Sequence, residues 1–149
     1  NNGIVVDGVG SLMSHVAKCC RPVPGDEIIG YITQGRGIGV HRDDCDSFDN
    51  LKTQHPERVI SVSWSDDIHN SYALSIRIEA SDRSGLIRDI SVVLANEKVN
   101  VLNMNVNTVD DNQIAIFTMQ IEVHDLSGTN RVLSKLHQIE GVHSAKRGQ

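Results

Sequence analysis

The sequence lacks the features of a membrane or secreted protein. None of its apolar runs approaches the ~20 residues needed to cross a bilayer. It has no starting methionine, and no basic segment followed by an apolar core and a cleavage site opens it. Of its 149 residues, 39% are hydrophobic and 22% are charged, which is typical of globular proteins and excludes disordered tails and coiled-coil rods. We therefore expect a folded piece of a longer cytoplasmic protein that does not associate with membranes.

Positive charge is also scarce, and neither half of the chain is basic. The formal net charge is -5; residues 1–60 hold 6 Lys and Arg against 8 Asp and Glu, and residues 61–149 hold 8 against 11. Electrostatic binding to phosphates needs clustered cations, so any contact with nucleic acid must be local. Cysteine occurs three times, an odd number without a secretory context, which predicts reduced thiols and not a disulfide framework.

The composition changes along the chain and predicts two domains. All three cysteines, all three prolines and most of the glycines precede residue 60, whereas the remainder is rich in Val, Ile and Leu with clear periodicity. A turn-rich segment, 65–71, follows a short predicted strand from Val59 to Trp64. We place the boundary there, which gives domains of residues 1–65 and 66–149.

The second domain has a recognisable order of elements. Residues 72–80 alternate apolar with polar side chains, as in a strand with one buried face, and residues 86–94 repeat apolar side chains at helical spacing. Residues 102–106 and 115–123 alternate again and predict a hairpin. A second helix, capped by Asp125 or Ser127, and a last strand over 141–145 follow. The order βαββαβ predicts two helices on one face of an antiparallel sheet, a ferredoxin-like domain in an α+β protein.

The first domain is less regular. Residues 10–18 predict a short helix that ends at two adjacent cysteines, before a proline-rich segment. The inward side chains of that helix are Leu12, Met13 and Val16. Residues 27–33 and 36–40 predict a hairpin, and residues 43–51 a second short helix. Because a unit of ~60 residues with so few large apolar side chains buries little surface, it needs a staple.

Cys19, Cys20, His41 and Cys45 are the candidate staple. His41 and Cys45 are four residues apart, so that on a helical turn both side chains face the same way, as paired zinc ligands must. Three sulfurs and one imidazole complete a tetrahedral zinc site with no position left for water, which is typical of a structural ion. Adjacent cysteines point apart on a regular element, so both bind only where the predicted helix unwinds. The first domain is then a small zinc-finger-like α/β module.

Three alternatives to this ligand set remain open in the sequence. The cysteines can be buried thiols beside an unrelated surface histidine, since free cysteine is among the most buried residue types. His15, four residues before Cys19, can replace one cysteine, and Asp44 can serve as a ligand or as a hydrogen-bond acceptor behind one. A disulfide between the adjacent cysteines, Cys19 and Cys20, would make a redox switch.

No catalytic centre is recognisable in the sequence. Residues 35–39 are glycine-rich, but they match neither nucleotide-binding pattern and lie between two predicted strands. Neither a Ser/His/Asp signature nor the H-E-x-x-H metal motif is present. We expect this chain to have no enzymatic activity of its own.

Two motifs resemble a known family. Residues 17–26 and 30–45 closely resemble the C-terminal regulatory region of the RelA/SpoT alarmone synthetases, and residues 82–90 look like the first loop and helix of that family's ACT domain. The resemblance covers essentially the whole chain and favours the RelA-like, ribosome-associated branch. It implies a parent enzyme that transfers pyrophosphate from ATP to GTP or GDP to make (p)ppGpp in the stringent response. It also implies structural zinc at the four residues named above, because the cysteine module of this family is called a zinc-finger domain.

The resemblance also implies partners. In ribosome-bound relatives this region lodges near the A site, contacts large-subunit rRNA and senses uncharged tRNA. The cations nearest the cysteine motif, which we expect to contact phosphates, are Lys18, Arg21, Arg36 and Arg42. The predicted sheet of the second domain lacks the stacking aromatics of an RNA-recognition module, so it must bind RNA differently if it binds RNA at all.

ACT domains elsewhere bind amino acids at a dimer interface, between the first strand-to-helix loop and the second strand. The corresponding residues here are Asp82, Gly85, Leu86 and Asn100. Backbone N–H groups at a helix start suit a carboxylate, and an acidic side chain can hold the ammonium group. A module that senses a branched-chain amino acid is therefore the alternative function. Outward apolar residues, Ile114 and Ile116, favour a homodimer formed by side-by-side sheets.

Overall fold

The protein is described here by a computed structural model. The structure describes residues 4–6, 13–65, 71–109 and 113–148, which form two compact units over 1–70 and 71–149. Both units combine helices with sheets, so the α+β class is confirmed. No helix among these residues has the length and apolar character that a membrane span requires.

The described residues of the first unit form two small sheets and one α-helix. A four-stranded sheet has the order β2-β4-β3-β5, in which β2 runs parallel to β4 and the other pairs are antiparallel. A separate antiparallel pair joins β1 to β6. The bounds are β1 Ile4–Val6, β2 Ser14–Val16, β3 Ile28–Ile32, β4 Ile38–Arg42, α1 Asp46–Gln54, a 3₁₀ turn Pro56–Arg58, β5 Val59–Ile60 and β6 Val62–Trp64. The predicted hairpin and the predicted second helix are confirmed, and the predicted strand over 59–64 divides between the two sheets.

The predicted helix over 10–18 is wrong in its described part. Residues 14–16 form β2, and Met13, predicted to face inward, is 77% exposed. Hydrogen bonds to the edge of β4 take the place of those within the predicted helix. The Ile38 N–H donates to the Met13 carbonyl at 3.0 Å, and the Ala17 N–H donates to the Val40 carbonyl at 2.9 Å. Residues 10–12, including Leu12, lie outside the described residues.

A glycine permits this approach of β2 to the hairpin. Gly37 has a φ of +74°, and a Cβ there would lie 2.4 Å from the Met13 carbonyl oxygen. Thr33 closes the same turn, since its hydroxyl donates to the Gly37 carbonyl at 2.7 Å and accepts the Arg36 N–H at 3.2 Å. The turn residues therefore set where β2 joins the sheet.

Two hydrophobic clusters are found among the described residues of the first unit. One is aliphatic and joins both sheets through Ile4, Val6, Ile38, Val40 and Val62. The other lies under α1 and includes two of the thiols, with the members Ala17, Cys20, Tyr31, Cys45 and Phe48. The cysteines are thus part of the packing as well as candidate ligands.

The second unit has the predicted βαββαβ order. Its antiparallel sheet has the strand order β10-β7-β9-β8, which is the ferredoxin-like arrangement. The bounds are β7 Tyr72–Ser81, α2 Leu86–Asn96, β8 Asn100–Val109, β9 Ile114–Val123, α3 Leu126–His137 and β10 Val142–Arg147. Alternate residues of β7 and β9 are buried along their whole length, as the two-residue periodicity predicts. Of the two proposed caps, Asp125 is the residue that accepts from a helical N–H, that of Gly128, at 2.7 Å.

Strand β8 departs from the predicted alternation. A register shift between Val101 and Asn103 leaves Leu102 as an extra residue, and its side chain is 46% exposed. Met104 then lies opposite the buried Met119, and Val106 opposite the buried Phe117, yet Val106 is still 40% exposed. Val106 remains exposed because β8 is an edge strand of the sheet, paired with β9 on one side.

Candidate metal centre

Four side chains from three segments converge in the first unit. Cys19 and Cys20 lie in the turn after β2, His41 lies in β4, and Cys45 is the N-cap residue of α1. Since β2 runs parallel to β4, the turn that follows β2 lies beside the end of β4. The expectation that His41 and Cys45 share a helical turn is wrong, because β4 ends and α1 begins between them.

The ligand atoms are close enough to share one ion. The Cys19 Sγ lies 3.5 Å from the Cys45 Sγ, 4.0 Å from the Cys20 Sγ and 3.4 Å from the His41 Nδ1. The Cys20 Sγ lies 3.9 Å from the same Nδ1. All four ligand atoms lie within 4.8 Å of one another. Sulfur atoms bound tetrahedrally at 2.3 Å from zinc are about 3.8 Å apart, so the spacing and the donor set fit a zinc ion.

Burial disfavours the charged forms of three of these side chains, Cys19, Cys20 and His41. Burial raises the pKa of the Cys20 thiol to about 12 and raises that of Cys19 as well. Burial, with a smaller contribution from the charge of His15, lowers the pKa of His41 and so favours the neutral imidazole that a metal needs. The His41 ring also stacks on Phe48, with a centroid distance of 5.2 Å and an interplanar angle of 30°.

The alternative ligands lie outside this group. Within the described ranges, the atoms that can hold a metal together come from the two adjacent cysteines, His41 and Cys45, without His15 or Asp44. The ring of His15 lies over Gly39, where a Cβ would meet its Nε2 at 3.4 Å. Asp44 accepts from the Arg42 guanidinium at 2.9 Å, and its side chain is 71% exposed. The cysteines are buried or half-buried, as the buried-thiol alternative also requires.

The predicted RNA-contacting cations divide into two places. Lys18 is exposed in the cysteine turn, and Arg21 follows it with a left-handed φ of 44°. Arg42 ends β4 beside the cysteines, where its N–H donates to the Cys20 Sγ at 3.2 Å and its guanidinium pairs with Asp44. Arg36 is exposed at the hairpin turn, at the other end of β4 from His41. Three cations therefore lie beside the candidate metal centre and one does not.

The predicted amino-acid site is divided between the two ends of the sheet. Asp82, Gly85 and Leu86 line a cavity of about 350 Å³ at the end of β7 and the start of α2. Asn100 starts β8 at the opposite end, where it lines another cavity, of about 480 Å³, and hydrogen-bonds Glu122 at 2.5 Å. The structure thus brings together three of the four residues within one chain.

Sequence reasoning missed two residues that organise these sites. Phe48 supports His41 and meets Tyr31 edge-on at a centroid distance of 6.4 Å; its spacing of three from Cys45 on a helix was the available signal. Arg83 donates to the Glu140 carbonyl at 2.9 Å, the Ser84 carbonyl at 3.0 Å and the Asp89 carboxylate at 2.8 Å. No local pattern marks Arg83, because Glu140 is 57 residues away.

Comparison with known proteins gives two family matches and a set of relatives that are about five times as long as this chain. The model of the RelA/SpoT RIS domain matches residues 4–65, and that of the ACT domain matches residues 69–147, more than half of the chain. The chain is 49% identical over 147 residues to the GTP pyrophosphokinase of Escherichia coli (strain K12), covering 99% of this chain and 20% of that protein. It is 38% identical over 145 residues to the bifunctional (p)ppGpp synthase/hydrolase RelA of Mycobacterium tuberculosis, covering 97% of this chain and 19% of that one.

Among solved structures, the crystal structure of the ACT domain from the GTP pyrophosphokinase of Chlorobium tepidum covers 53% of this chain and 100% of its own, with 23% identity and a TM-score of 0.48. The chain spans about one fifth of the length of the curated relatives it matches. Its two matched domains follow one another without overlap and account for nearly every residue. The chain therefore belongs to the RelA/SpoT family and corresponds to that family's C-terminal regulatory region, an RIS domain followed by an ACT domain.

Proposed function

We propose that this region controls a RelA-like GTP pyrophosphokinase in the stringent response. In this proposal the domains of residues 1–65 and 66–149 act as separate regulatory modules in the cytoplasm, and the pyrophosphate transfer takes place elsewhere in the parent protein. The observation that carries the proposal is the pair of family matches over both units, joined to the convergence of four metal-ligating side chains in the first.

The metal in this proposal is one structural zinc ion. Cys19, Cys20, His41 and Cys45 would hold it and leave no position for water, so the ion would stabilise the first unit and activate no water. Its residues would then tie the turn after β2 to β4 and α1. Arg42 supports the site through its N–H bond to the Cys20 sulfur.

Metal content per chain tests this role directly. Mass spectrometry after purification without chelator should find about one zinc per chain in the wild type and in His15→Ala, because His15 is outside the ligand group. Cys19→Ser should lose the metal. A chain with no metal and three titratable thiols would make the cysteines ordinary core residues and contradict the proposal.

The first unit is proposed to contact the large-subunit rRNA and the A-site tRNA. Lys18, Arg21 and Arg42 surround the cysteine turn, and Arg36 extends from the hairpin turn; these cations would bind phosphates. The acidic balance of the chain, with a formal net charge of -5, makes this contact a local one.

Ribosome pelleting of the full-length synthetase tests this contact. Lys18→Gln and Arg36→Gln should weaken binding and reduce its dependence on salt, because each removes an exposed cation. Lys52→Gln, which removes an exposed cation from the last turn of α1, is the matched control and should bind as the wild type does. Equal binding by all three variants would reject the assignment of the phosphate contacts.

The ACT domain is proposed to form a homodimer through β8. This edge strand runs for ten residues without a charged residue or a proline, and it exposes Val106 and Val109. The other edge strand, β10, carries Lys146 and Arg147, which discourage pairing with another strand. Ile114 and Ile116 are half-buried on the sheet face away from the helices and would extend the contact.

Light scattering at tens of micromolar protein tests the dimer. Asn105→Lys places a charge in the middle of β8 and should produce a monomer, whereas Asn130→Lys adds the same charge on exposed α3 and should leave the dimer intact. A wild-type monomer at this concentration would contradict the proposal.

Binding of a branched-chain amino acid is the second candidate function. The cavity lined by Asp82, Gly85 and Leu86 favours it, since the exposed carboxylate of Asp82 suits an ammonium group. The rest of the lining is mixed, with the polar residues Arg83, Arg88 and Thr108 beside the apolar residues Ile87, Val106, Ala115 and Phe117. Antiparallel pairing of two β8 strands would bring the start of one strand, with Asn100, beside the end of the other, near this cavity. The divided site would then be complete only in the dimer.

Calorimetry with valine and isoleucine tests this candidate. Heat of binding in the wild type that is lost in Asp82→Ala, in Asn100→Ala and in the monomeric Asn105→Lys variant would support an intersubunit site. No heat from either amino acid at millimolar concentration would exclude it and leave the ACT domain as an interaction module.

A further inference from the structure

The three thiols of the metal centre differ in exposure and spacing. Cys19 is half-buried, whereas Cys20 and Cys45 are buried. The nearest sulfur to the Cys19 Sγ belongs to Cys45, at 3.5 Å, and the Cys20 Sγ lies farther away, at 4.0 Å. An oxidant that enters from solvent therefore meets Cys19 first, with Cys45 closest behind it.

We propose that Cys19 is an oxidation site that forms a reversible intramolecular disulfide with Cys45, fastest when the site holds no metal. The protection of these thiols by zinc rests on the metal role proposed above, but formation of the disulfide does not. In this proposal the same side chains that would bind an ion can also react with an oxidant.

The geometry favours Cys45 over the adjacent Cys20 as the partner. Consecutive Cα atoms are 3.80 Å apart across a trans peptide, but the Cα atoms of a disulfide are usually 4.4–6.8 Å apart, so neighbouring cysteines pair only with strain. The Cys20 Sγ also accepts the Arg42 N–H at 3.2 Å, which holds it toward β4. Cys45 lies 26 residues after Cys19, so this restriction does not apply to it. Its side chain makes no capping hydrogen bond at the start of α1 that the disulfide would break.

The reaction needs a two-electron oxidant such as hydrogen peroxide. The Cys19 sulfur attacks one peroxide oxygen, the O–O bond breaks, and a sulfenic acid and one water form. The Cys45 sulfur then attacks the Cys19 sulfur, the S–O bond breaks, and the disulfide and a second water form. Two thiols lose two electrons and two protons in total, and the peroxide is reduced to water.

Disulfide formation and metal binding exclude one another. The disulfide removes two of the four donors, Cys19 and Cys45, and leaves Cys20 and His41. Two ligands do not complete a tetrahedral site, so oxidation would release the ion and reduction would restore the capacity to bind it. The first unit would thus lose its zinc under oxidising conditions.

The experiment compares zinc-loaded and metal-free chain treated with hydrogen peroxide. In the metal-free chain we expect the three titratable thiols to fall to one, the intact mass to fall by two hydrogen atoms, and a peptide pair linked through Cys19 and Cys45. The zinc-loaded chain should react several-fold more slowly and release its zinc as the disulfide forms. Dithiothreitol should restore all three thiols.

Two variants separate the partners. Cys20→Ser should still form the disulfide, whereas Cys45→Ser should stop at a sulfenic acid on Cys19 that dimedone traps. The metal-free wild type alone can overturn the proposal. It would do so if the adjacent cysteines were linked, if two chains were linked, or if all three thiols survived the treatment. A wild type that forms the disulfide but never binds zinc would reject the metal role alone.

Discussion

The two units have similar lengths but build their cores differently. The second unit buries mostly aliphatic side chains from β7, β9, α2 and α3 on the face of one sheet. Most of the buried apolar residues that the structure describes in the first unit fall into two small clusters, one of which contains Cys20 and Cys45. A unit with less apolar surface to bury needs another source of stability, and here the second cluster surrounds the candidate metal site. The difference predicts that any dependence of stability on a metal ion is confined to the first unit, where the candidate ligands lie.

Removing the metal should produce the largest difference in stability between the two units. Zinc binding to small structural sites is worth about 10–16 kcal/mol at neutral pH, which exceeds the stability of most small domains. We expect a chelator to expose the amides of β3 and β4 to hydrogen exchange while β7 and β9 stay protected. Exchange followed by mass spectrometry measures both sheets at once. Added zinc should restore protection, and equal loss of protection in both units would break the comparison.

A matched pair of core truncations should have the next largest effect. Phe117→Ala removes a side chain that is 1% exposed in the second unit and should cost about 3–5 kcal/mol there. Phe48→Ala removes one that is 0% exposed in the first unit and should also weaken zinc retention, since Phe48 stacks on His41.

Trp64 distinguishes these two variants, because it is the only tryptophan and lies in the first unit. When urea unfolding is followed by Trp64 fluorescence, the midpoint of the transition should fall in Phe48→Ala and stay unchanged in Phe117→Ala. The effect of Phe117→Ala should appear in far-ultraviolet circular dichroism. A shift of the fluorescence transition in both variants would mean that the units unfold together.

Loss of the Arg83 contacts should have a smaller effect within the second unit. Arg83→Ala removes three hydrogen bonds from a side chain that is 27% exposed, and we expect a loss of about 2 kcal/mol in the free energy of unfolding. Arg88→Ala is the control, because Arg88 is 81% exposed and meets Asp89 at 3.6 Å; its cost should stay within about 0.5 kcal/mol. Urea unfolding by circular dichroism measures both, and similar losses would show that the Arg83 contacts contribute little.

The helix cap of α3 should give the smallest effect. Asp125→Ala leaves the Gly128 N–H without its acceptor and should cost about 1 kcal/mol, whereas Asp125→Asn should keep most of the stability. Hydrogen exchange in the first turn of α3 should rise in the alanine variant alone. Faster exchange in the first unit would contradict the separation of the two units.

The fold of the second unit follows from its sequence because local pattern and tertiary packing agree. Alternation in β7 and β9 matches a sheet with helices on one face, and the helical spacing in α2 buries Leu86, Ile90 and Leu94. The pattern fails at Leu102, since nothing in the local sequence marks an inserted residue in an edge strand.

The first unit is less predictable, because distant partners decide its local structure. Residues 14–16 become a strand by pairing with β4, more than twenty residues away, and their own apolar spacing does not specify this. The four candidate ligands follow from residue type and motif, but their arrangement does not, since His41 comes from a strand and Cys45 from a helix cap. Likewise, the order of residues along the chain does not reveal that Asn100 and Asp82 lie at opposite ends of one sheet.

The β3–β4 hairpin has a kinetic consequence for the candidate metal centre. Its five-residue connection lets it form within microseconds, long before distant segments meet. The Cys19 and Cys45 sulfurs are 26 residues apart in sequence, but a formed hairpin shortens the free chain between them to two short stretches on either side of it. The entropy lost on closing the site is then small. A metal ion that bound after the hairpin had formed would therefore stabilise the folded site without being needed to bring its residues together.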